Sequence, residues 1–438
     1  MSLPRDLQAA LEPREVEHLV DVLVSPQTGL IEQVYKTLVQ PDEPPLHYFA
    51  ARMGATERYI TREAVRHVGG AGWTHWAGLA SLMGEAAERY ALWFVHHASE
   101  RRAPAAALAD EGADFVGPEA FHLFSPRQYG RGDFPYRPLP TDQEEIGWIQ
   151  GIDLATGHPT WVPSALALLP EGLRPITTTG TACSRHPAAA TLAALLELVE
   201  RDALAIAWYN RLSCPPVETT MVEGLDDVLD RFFRPTRVPY HLFHLPTDLE
   251  IPAVLAVALA GQEDLAAVHV GAAAGPTLRA AVFKALLEAA QCRPYAKFLG
   301  RGSFNRADDV LSFQDHVRFW NDRTRIRDLD FLLFPARRFA VPAFREWFGC
   351  GEDVLPLIVT HLTTFGIRLI RLDITPQDLR EVGLTVVRVV SPPLVDIDSA
   401  HGSRQLGQPR IYQVPVQLGY LSRPPGEEDL NPLPHPFP

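Results

Sequence analysis

Two stretches of this 438-residue chain set acidic side chains three residues apart in a helix-forming context, and a third repeats the pattern in part. Ser81-Leu-Met-Gly-Glu85-Ala-Ala-Glu88-Arg89-Tyr-Ala-Leu92 and Leu-Leu-Glu197-Leu-Val-Glu200-Arg201-Asp-Ala-Leu204 share the pattern Glu-x-x-Glu-Arg-x-Ala-Leu. Lys284-Ala-Leu-Leu-Glu288-Ala-Ala-Gln291-Cys-Arg293 is a weaker third copy, with Gln291 in place of the second Glu. On a helix, residues three apart share a face, so each pair presents two carboxylates together, with an arginine one turn after the first. Two such helices facing one another make a cage of Glu85, Glu88, Glu197 and Glu200. An oxygen-only ligand set of this kind suits Mg²⁺, which keeps some water and takes its remaining ligands from phosphates. Arg89, Arg201 and Lys284 would then meet phosphate oxygens. The bland reading of Glu-x-x-Glu-Arg is a solvated face carrying an ion pair. Against it, both helices are apolar almost all round, including Leu82, Met83, Ala86, Ala87 and Leu195, Leu196, Leu198, Val199. A helix without a broad polar face is buried, and a buried carboxylate needs a metal, an arginine or a proton. Buried structural Glu–Arg bridges remain the alternative at this level.

The elements that position these residues follow from periodicity. Residues 75–98, 187–211 and 276–293 carry helical spacing, whereas Ile251–Ala260 and Leu384–Val390 are β-branched runs. The mixture predicts an α/β (α+β) protein with a repeated sheet-and-helix unit. Proline is frequent (39 residues) and clusters at 117–145 and 421–438, where neither helix nor central strand can persist. Gly69-Gly70-Ala71-Gly72 reads as a turn before the first helix.

Composition narrows the function classes. Acidic residues (53) outnumber basic ones (40) and no run of like charge occurs, so neither nucleic acid nor an anionic membrane is an expected partner. The lysines are Lys36, Lys284 and Lys297, and none follows a glycine, which excludes the G-x-x-x-x-G-K-[ST] phosphate loop. Four cysteines without Cys-x-x-Cys spacing indicate neither a disulfide framework nor a zinc ribbon. No signal-peptide pattern or window of ~18 apolar residues is present, so a cytoplasmic location is expected.

In these residues the chain resembles the YcaO family. Thr178-Thr-Gly180-Thr-Ala182 leads into the Glu197-Leu-Val-Glu200-Arg201 helix, preceded by the Ser81 to Arg89 helix and followed by Lys284-Ala-Leu-Leu-Glu288, in the family's order. The run continuing to Trp208-Tyr-Asn-Arg-Leu212, the segment Gly-Gln-Pro-Arg410-Ile-Tyr412, and the ending Asn431-Pro432-Leu433-Pro434-His435-Pro436-Phe437-Pro438 are similar to one branch. That branch is the azoline-forming cyclodehydratases, or D proteins, of ribosomally synthesised thiazole/oxazole-modified peptides.

The resemblance implies a YcaO-type fold, with duplicated sheet/helix units around a central site for ATP and Mg²⁺. Mg²⁺ would sit on Glu85, Glu88, Glu197 and Glu200. ATP would be held by Ser81, Arg89, Thr178, Gly180, Arg201, Lys284, Glu288 and Gln291. A mobile tail with Pro434, Pro436 and Pro438 would deliver the terminal carboxylate as catalytic base; the alternative is a tail that merely docks. A precursor Cys, Ser or Thr would attack the preceding amide carbon, and the oxyanion would take the γ-phosphoryl group before phosphate leaves. Two other outcomes are open: a thioamide synthetase acting with a TfuA-type partner, or a weakened noncatalytic subunit. The implied organisation is an N-terminal segment 1–60, an ATP-binding domain 61–420 and a Pro-rich tail 421–438. Expected partners are the precursor peptide, a separate E1-like (ThiF-like) leader-binding protein, for which residues 1–60 leave no room, and a second copy in a homodimer. Ala71, Ser184, Ala189 and Lys284 stand where the family usually has lysine, glycine, an acid and arginine.

Overall fold

Helix α1 (Pro13–Leu23) and strands β1 (Ile31–Lys36) and β2 (His47–Met53) lead into the first of three strand–turn–helix units. Here β3 (His67–Gly72) turns through Trp73 and Thr74 into α2 (His75–Phe94). After β4 (Arg101–Ala103), β5 (Ile146–Asp153) and β6 (Pro159–Pro163), the second unit joins β7 (Thr181–Ser184) to α3 (Pro187–Tyr209). The third follows β8 (Tyr240–His244) and β9 (Ala253–Leu259) and joins β10 (Val268–Ala274) to α4 (Leu278–Leu299). The chain continues through α5 (Phe313–Trp320), α6 (Gly351–Thr364), β11 (Ile370–Asp373), β12 (Thr385–Val390) and α7 (Arg410–Gln417). This computed structural model describes residues 11–55, 66–94, 100–168, 172–175, 177–261 and 264–437.

Local chemistry sets the helix limits. Pro187 occupies the first position of α3, where its missing N–H costs nothing. Thr277 caps α4 by accepting from the Ala280 amide at 3.1 Å, and Gly300, at φ +65°, ends it. The predicted helices and β-branched strands lie where the spacing put them, with ends shifted by a few residues. The Gly69 to Gly72 run, read from sequence as a turn, is instead the body of β3. A Cβ on Gly70 would lie 2.4 Å from the Leu82 amide nitrogen, and one on Gly72 2.2 Å from that of Gly78. Glycine here lets α2 lie directly on the strand. Gly271 of β10 does the same for α4, 2.2 Å from the Ala289 nitrogen.

Among the described residues the sheets run β1-β2-β3, β10-β9-β8 and β4-β5-β11-β12-β7 with β6 on β5, all antiparallel. β3, β7 and β10 are therefore edge strands. Leu82, Met83 and Ala86 of α2 pack between Phe49, Ala51 and Val68 of the first sheet and Val386 and Val390 of the large sheet. On the other face of the large sheet, Val387 and Val389 meet α3, which also packs on Val257, Val268 and Val270. The opposite face of that third sheet, with Val254 and Ala256, holds α4, which reaches Tyr48, Ala71 and Trp73 of the first. Helices and sheets thus alternate around a closed cycle, and each helix is apolar on two sides because it is buried on two sides. Each such fully buried Leu or Met contributes about 1.5–3 kcal/mol of burial. No helix among the described residues is long and apolar enough to cross a membrane.

Candidate functional site

The eleventh residue of each of the three helices is a glutamate: Glu85 in α2, Glu197 in α3 and Glu288 in α4. Equal placement in three equivalent units brings the acidic turns together where the edge strands converge. An edge strand leaves amides unpaired, and here carboxylates take them. Cys183 N–H of β7 donates to Glu88 Oε1 at 2.8 Å, and Gly180 N–H, just before β7, donates to Glu197 Oε2 at 3.1 Å. The Ala272 amide of β10 likewise bonds Glu288.

Cations interleave with the acids. Arg89 Nε donates to Glu85 Oε1 at 2.7 Å. Arg201 reaches Glu197 at 3.1 Å and Glu200 at 2.9 Å, and Lys284 Nζ lies 3.7 Å from Glu288 and 3.9 Å from Glu200. Burial, with Glu85 and Glu197 nearby, holds the Glu88 carboxyl well above its ordinary value. Burial also pushes Glu200 up to about 8, against the pull of Arg201. Glu288 is raised, again first by burial. Burial disfavours the Lys284 ammonium, but Glu288, Glu200 and Glu197 outweigh it and its pKa rises.

Five carboxylates thus face three cations, and Glu200 Oε1 and Arg201 Nη1, although close, make no hydrogen bond. Oxygen-only donors in acid excess, three of them with carboxyls raised by burial, fit a hard divalent cation. Glu85, Glu88, Glu197 and Glu200 would hold it.

The turn before β7 is built by Thr178, whose carbonyl accepts from Thr181 N–H at 3.0 Å. Gly180 sits at φ +79°, and a Cβ there would meet the Val389 carbonyl oxygen at 2.5 Å. Ser81 is exposed on α2 one turn before Glu85. Gln291 of α4 points at the first sheet, its Nε2 3.3 Å from where a Gly69 Cβ would stand. The predicted glutamates, arginines, lysine and Gly180 are therefore assembled at one place. Two of the family departures have local reasons. Gly351 of α6 approaches so closely that its Cβ would lie 2.9 Å from Ala189 Cα, and Ser184 Oγ accepts from His186 N–H at 3.2 Å ahead of α3.

The tail expected to be mobile is docked as far as Phe437, and Pro438 lies outside the described residues. Trp208 Nε1 donates to the Leu433 carbonyl at 3.1 Å, and Trp320 Nε1 to that of Pro434 at 2.9 Å. Asn431 clasps the end of α3, its N–H on the Tyr209 carbonyl at 2.7 Å and its Nδ2 on that of Trp208 at 3.1 Å. His316 stacks on His435 with ring centroids 3.9 Å apart. Pro434, His435, Pro436 and Phe437 are buried, and the Phe437 ring lies 4.1 Å from the Arg201 guanidinium carbon.

Sequence reasoning missed this docking shell. Trp208 stood in the quoted run, but Trp320 and His316 meet the tail from a distant helix and carry no local signal. Asp202, beside Arg201, is also anchored. It takes Arg410 through bonds of 2.7 and 2.8 Å and the Val395 amide at 2.9 Å.

Fold and site together define an α/β protein that binds ATP and Mg²⁺. The family description "YcaO cyclodehydratase, ATP-ad Mg2+-binding" matches residues 69–395, and the chain belongs to the YcaO family. A protein of Rhizobium leguminosarum bv. trifolii described as "Uncharacterized protein in tfuA 3'region" is 29% identical over 292 residues, covering 62% of this chain and 64% of that protein. The chain thus spans less than two thirds of that relative. A heterocyclase solved in complex with substrate and cofactor superposes with a TM-score of 0.75 at 23% identity, covering 99% of this chain and 60% of that one. YcaO from Methanopyrus kandleri bound with AMPPCP and Mg²⁺ gives 0.63 at 21%, covering 89% and 93%. A chain of the E. coli microcin synthetase McbBCD complex with pro-MccB17 bound gives 0.55 at 15%, covering 84% and 90%.

Proposed function

We propose that this chain is the cyclodehydratase subunit of a peptide-modifying system, converting Cys, Ser or Thr of a ribosomal precursor to azolines through phosphorylation of the backbone amide oxygen. The observation that carries this reading is the end of the tail seated on Arg201, within the glutamate cluster. ATP and Mg²⁺, when bound, supply the phosphoryl group and neutralise its charge. Around them Glu85, Glu88, Glu197 and Glu200 serve as cation ligands. Arg89, Arg201 and Lys284 face phosphate oxygens, with Ser81, Thr178, Gly180, Glu288 and Gln291 completing the cradle.

Amide oxygen is a poor leaving group, so ring closure alone does not expel it. A side-chain sulfur or oxygen forms a bond to the preceding amide carbon, and the oxyanion takes the γ-phosphoryl group. Loss of the nitrogen proton and of phosphate leaves the carbon–nitrogen double bond. The nucleophile's proton needs a base, and the Pro438 carboxylate beyond Phe437 is the group we assign. Pro434 and Pro436 limit the chain's freedom and so the entropy lost in placing it. A separate E1-like partner would present the precursor's leader; the related heterocyclase is longer than the part this chain spans.

The test is mass spectrometry of a precursor peptide encoded nearby, incubated with this protein, its leader-binding partner and Mg-ATP. An ATP-dependent loss of ~18 Da per site is expected. A second reading, backbone thioamide formation with sulfide, is favoured by the Rhizobium relative's description as lying beside tfuA. It would exchange oxygen for sulfur, a gain of about 16 Da with the same ATP requirement. No mass change in either assay would overturn both.

A further inference from the structure

We propose that Arg388 and Arg174 form a second anion site, taking a small tetrahedral oxyanion of the phosphate class against the Thr178–Gly180 turn. Arg388, on β12, is 2% exposed and its Nη1 is buried with no hydrogen-bond partner. Among the described residues no carboxylate pairs with it. Arg174, 8% exposed, gives Nη2 to the Leu166 carbonyl at 2.8 Å and Nη1 to Thr177 Oγ1 at 3.0 Å. Its Nε has no partner, and its only acid, Asp396, lies at 3.5 Å among the described residues. Two guanidiniums thus share Asp396 as the one ion-pair partner among the described residues, with the Glu197 charge, itself paired with Arg201, acting on Arg388 at longer range, so buried positive charge is left over.

Such a charge is retained where a counter-charge can reach it. Burial, with Arg174 pushing the same way, drags Arg388 down to about 9. Both arginines line a cavity with about 50 Å³ of space for water-sized atoms, together with Thr179, Leu198, Ser391 and Gln408. That exceeds the roughly 10–15 Å³ a single water needs. The Ser391 hydroxyl is also buried without a partner. Planar guanidinium forks match tetrahedral oxyanions better than they match a spherical halide. The position is distinct from the glutamate cluster but borders it, both through the backbone and through the Glu197 charge that acts on Arg388. Thr179 and Leu198 wall the cavity while their neighbours Gly180 and Glu197 bond to each other. Taking orthophosphate as the physiological occupant rests on the proposed reaction, which releases it.

The experiment is calorimetric titration of the nucleotide-free full chain with orthophosphate, with chloride at equal ionic strength as the control. One saturable phosphate per chain is expected. Binding should weaken at least tenfold in Arg388→Met, tighten in Asp396→Asn, which removes the competing carboxylate, and persist in Glu200→Gln. Equal binding by the wild type and Arg388→Met would overturn the site. So would binding that disappears in Glu200→Gln, because the phosphate would then occupy the glutamate cluster. If Arg388→Met does not fold, absence of tightening in Asp396→Asn overturns it. Failure of ring formation alone would leave phosphate binding in place, so this inference and the proposed reaction fail separately.

Discussion

Phe437 stacks on Arg201, its ring centroid 4.1 Å from the guanidinium carbon, and so ties the last turn of the proline-rich tail to a residue that also pairs with Glu197 and Glu200. A cation over an aromatic face is worth about 0.5–2 kcal/mol, more when shielded from water. The contact is enough to hold the tail's end in register with the site, and too weak to account for the fold.

Replacing Phe437 should therefore separate binding from chemistry. Phe437→Ala is expected to keep Mg-ATP affinity within about threefold, since the cation–π term is small. Azoline yield by mass spectrometry should fall at least tenfold, and Phe437→Tyr should restore it. Equal loss of nucleotide affinity and yield would place the tail's role in ATP binding instead.

Cation binding should depend on pH in a defined direction. Glu200 is raised to about 8 and Glu88 lies well above its ordinary value, so below pH 8 a proton must leave before the metal enters. Mg²⁺ affinity should climb as pH rises towards about 8, by up to about tenfold per unit for the Glu200 proton, and more steeply wherever Glu88 gives up a proton as well. Calorimetry in two buffers of different ionisation enthalpy measures the released protons directly. A pH-independent affinity would remove Glu200 from the ligand set.

Gly180→Ala should damage the nucleotide turn. The φ of +79° and the Val389 carbonyl 2.5 Å from the added Cβ both oppose it. The expected cost is about 1–3 kcal/mol for the backbone alone, seen as a lower Tm, together with weaker ATP binding. Gly84→Ala in α2 is the control. Nothing lies within 4 Å of its Cβ, so helix stability should rise by about 0.5–1 kcal/mol.

The tail anchor should fail in acid. Burial holds His316 well below 6.5 and lowers His435, while His401, which bonds the Pro432 backbone, falls to about 3. At neutral pH these imidazoles are uncharged in both folded and unfolded chains. As pH drops below 6.5 only the unfolded chain takes up protons, so stability declines progressively towards pH 4. Asp398, raised above 3.8 by burial, acts oppositely, because there the folded chain binds the extra proton. Denaturant midpoints between pH 7.5 and 4.5 measure the slope, and His316→Phe should flatten it.

The residues that do the chemistry were legible because their signal is local. Glu85-x-x-Glu88-Arg89 and Glu197-x-x-Glu200-Arg201 state their own geometry through the 3.6-residue helical period, and the apolar surround of α2 and α3 already implied burial on more than one side. The glycine run of β3 was misread because glycine marks both turns and close backbone approach. Only the helix whose backbone an added Cβ would meet at 2.2 Å decides between them. The docking of the tail was invisible for a different reason. Its partners Trp208, the His316–Trp320 pair and Asp398 come from three separated parts of the chain, and no periodicity links those parts to one another or to the tail. The sequence by itself determined which side chains share a helix face and carry which charge. Tertiary structure alone decided which helices meet, since that depends on edge strands converging and on packing between sheets. It also decided which charges, such as Arg388, are left buried without a partner.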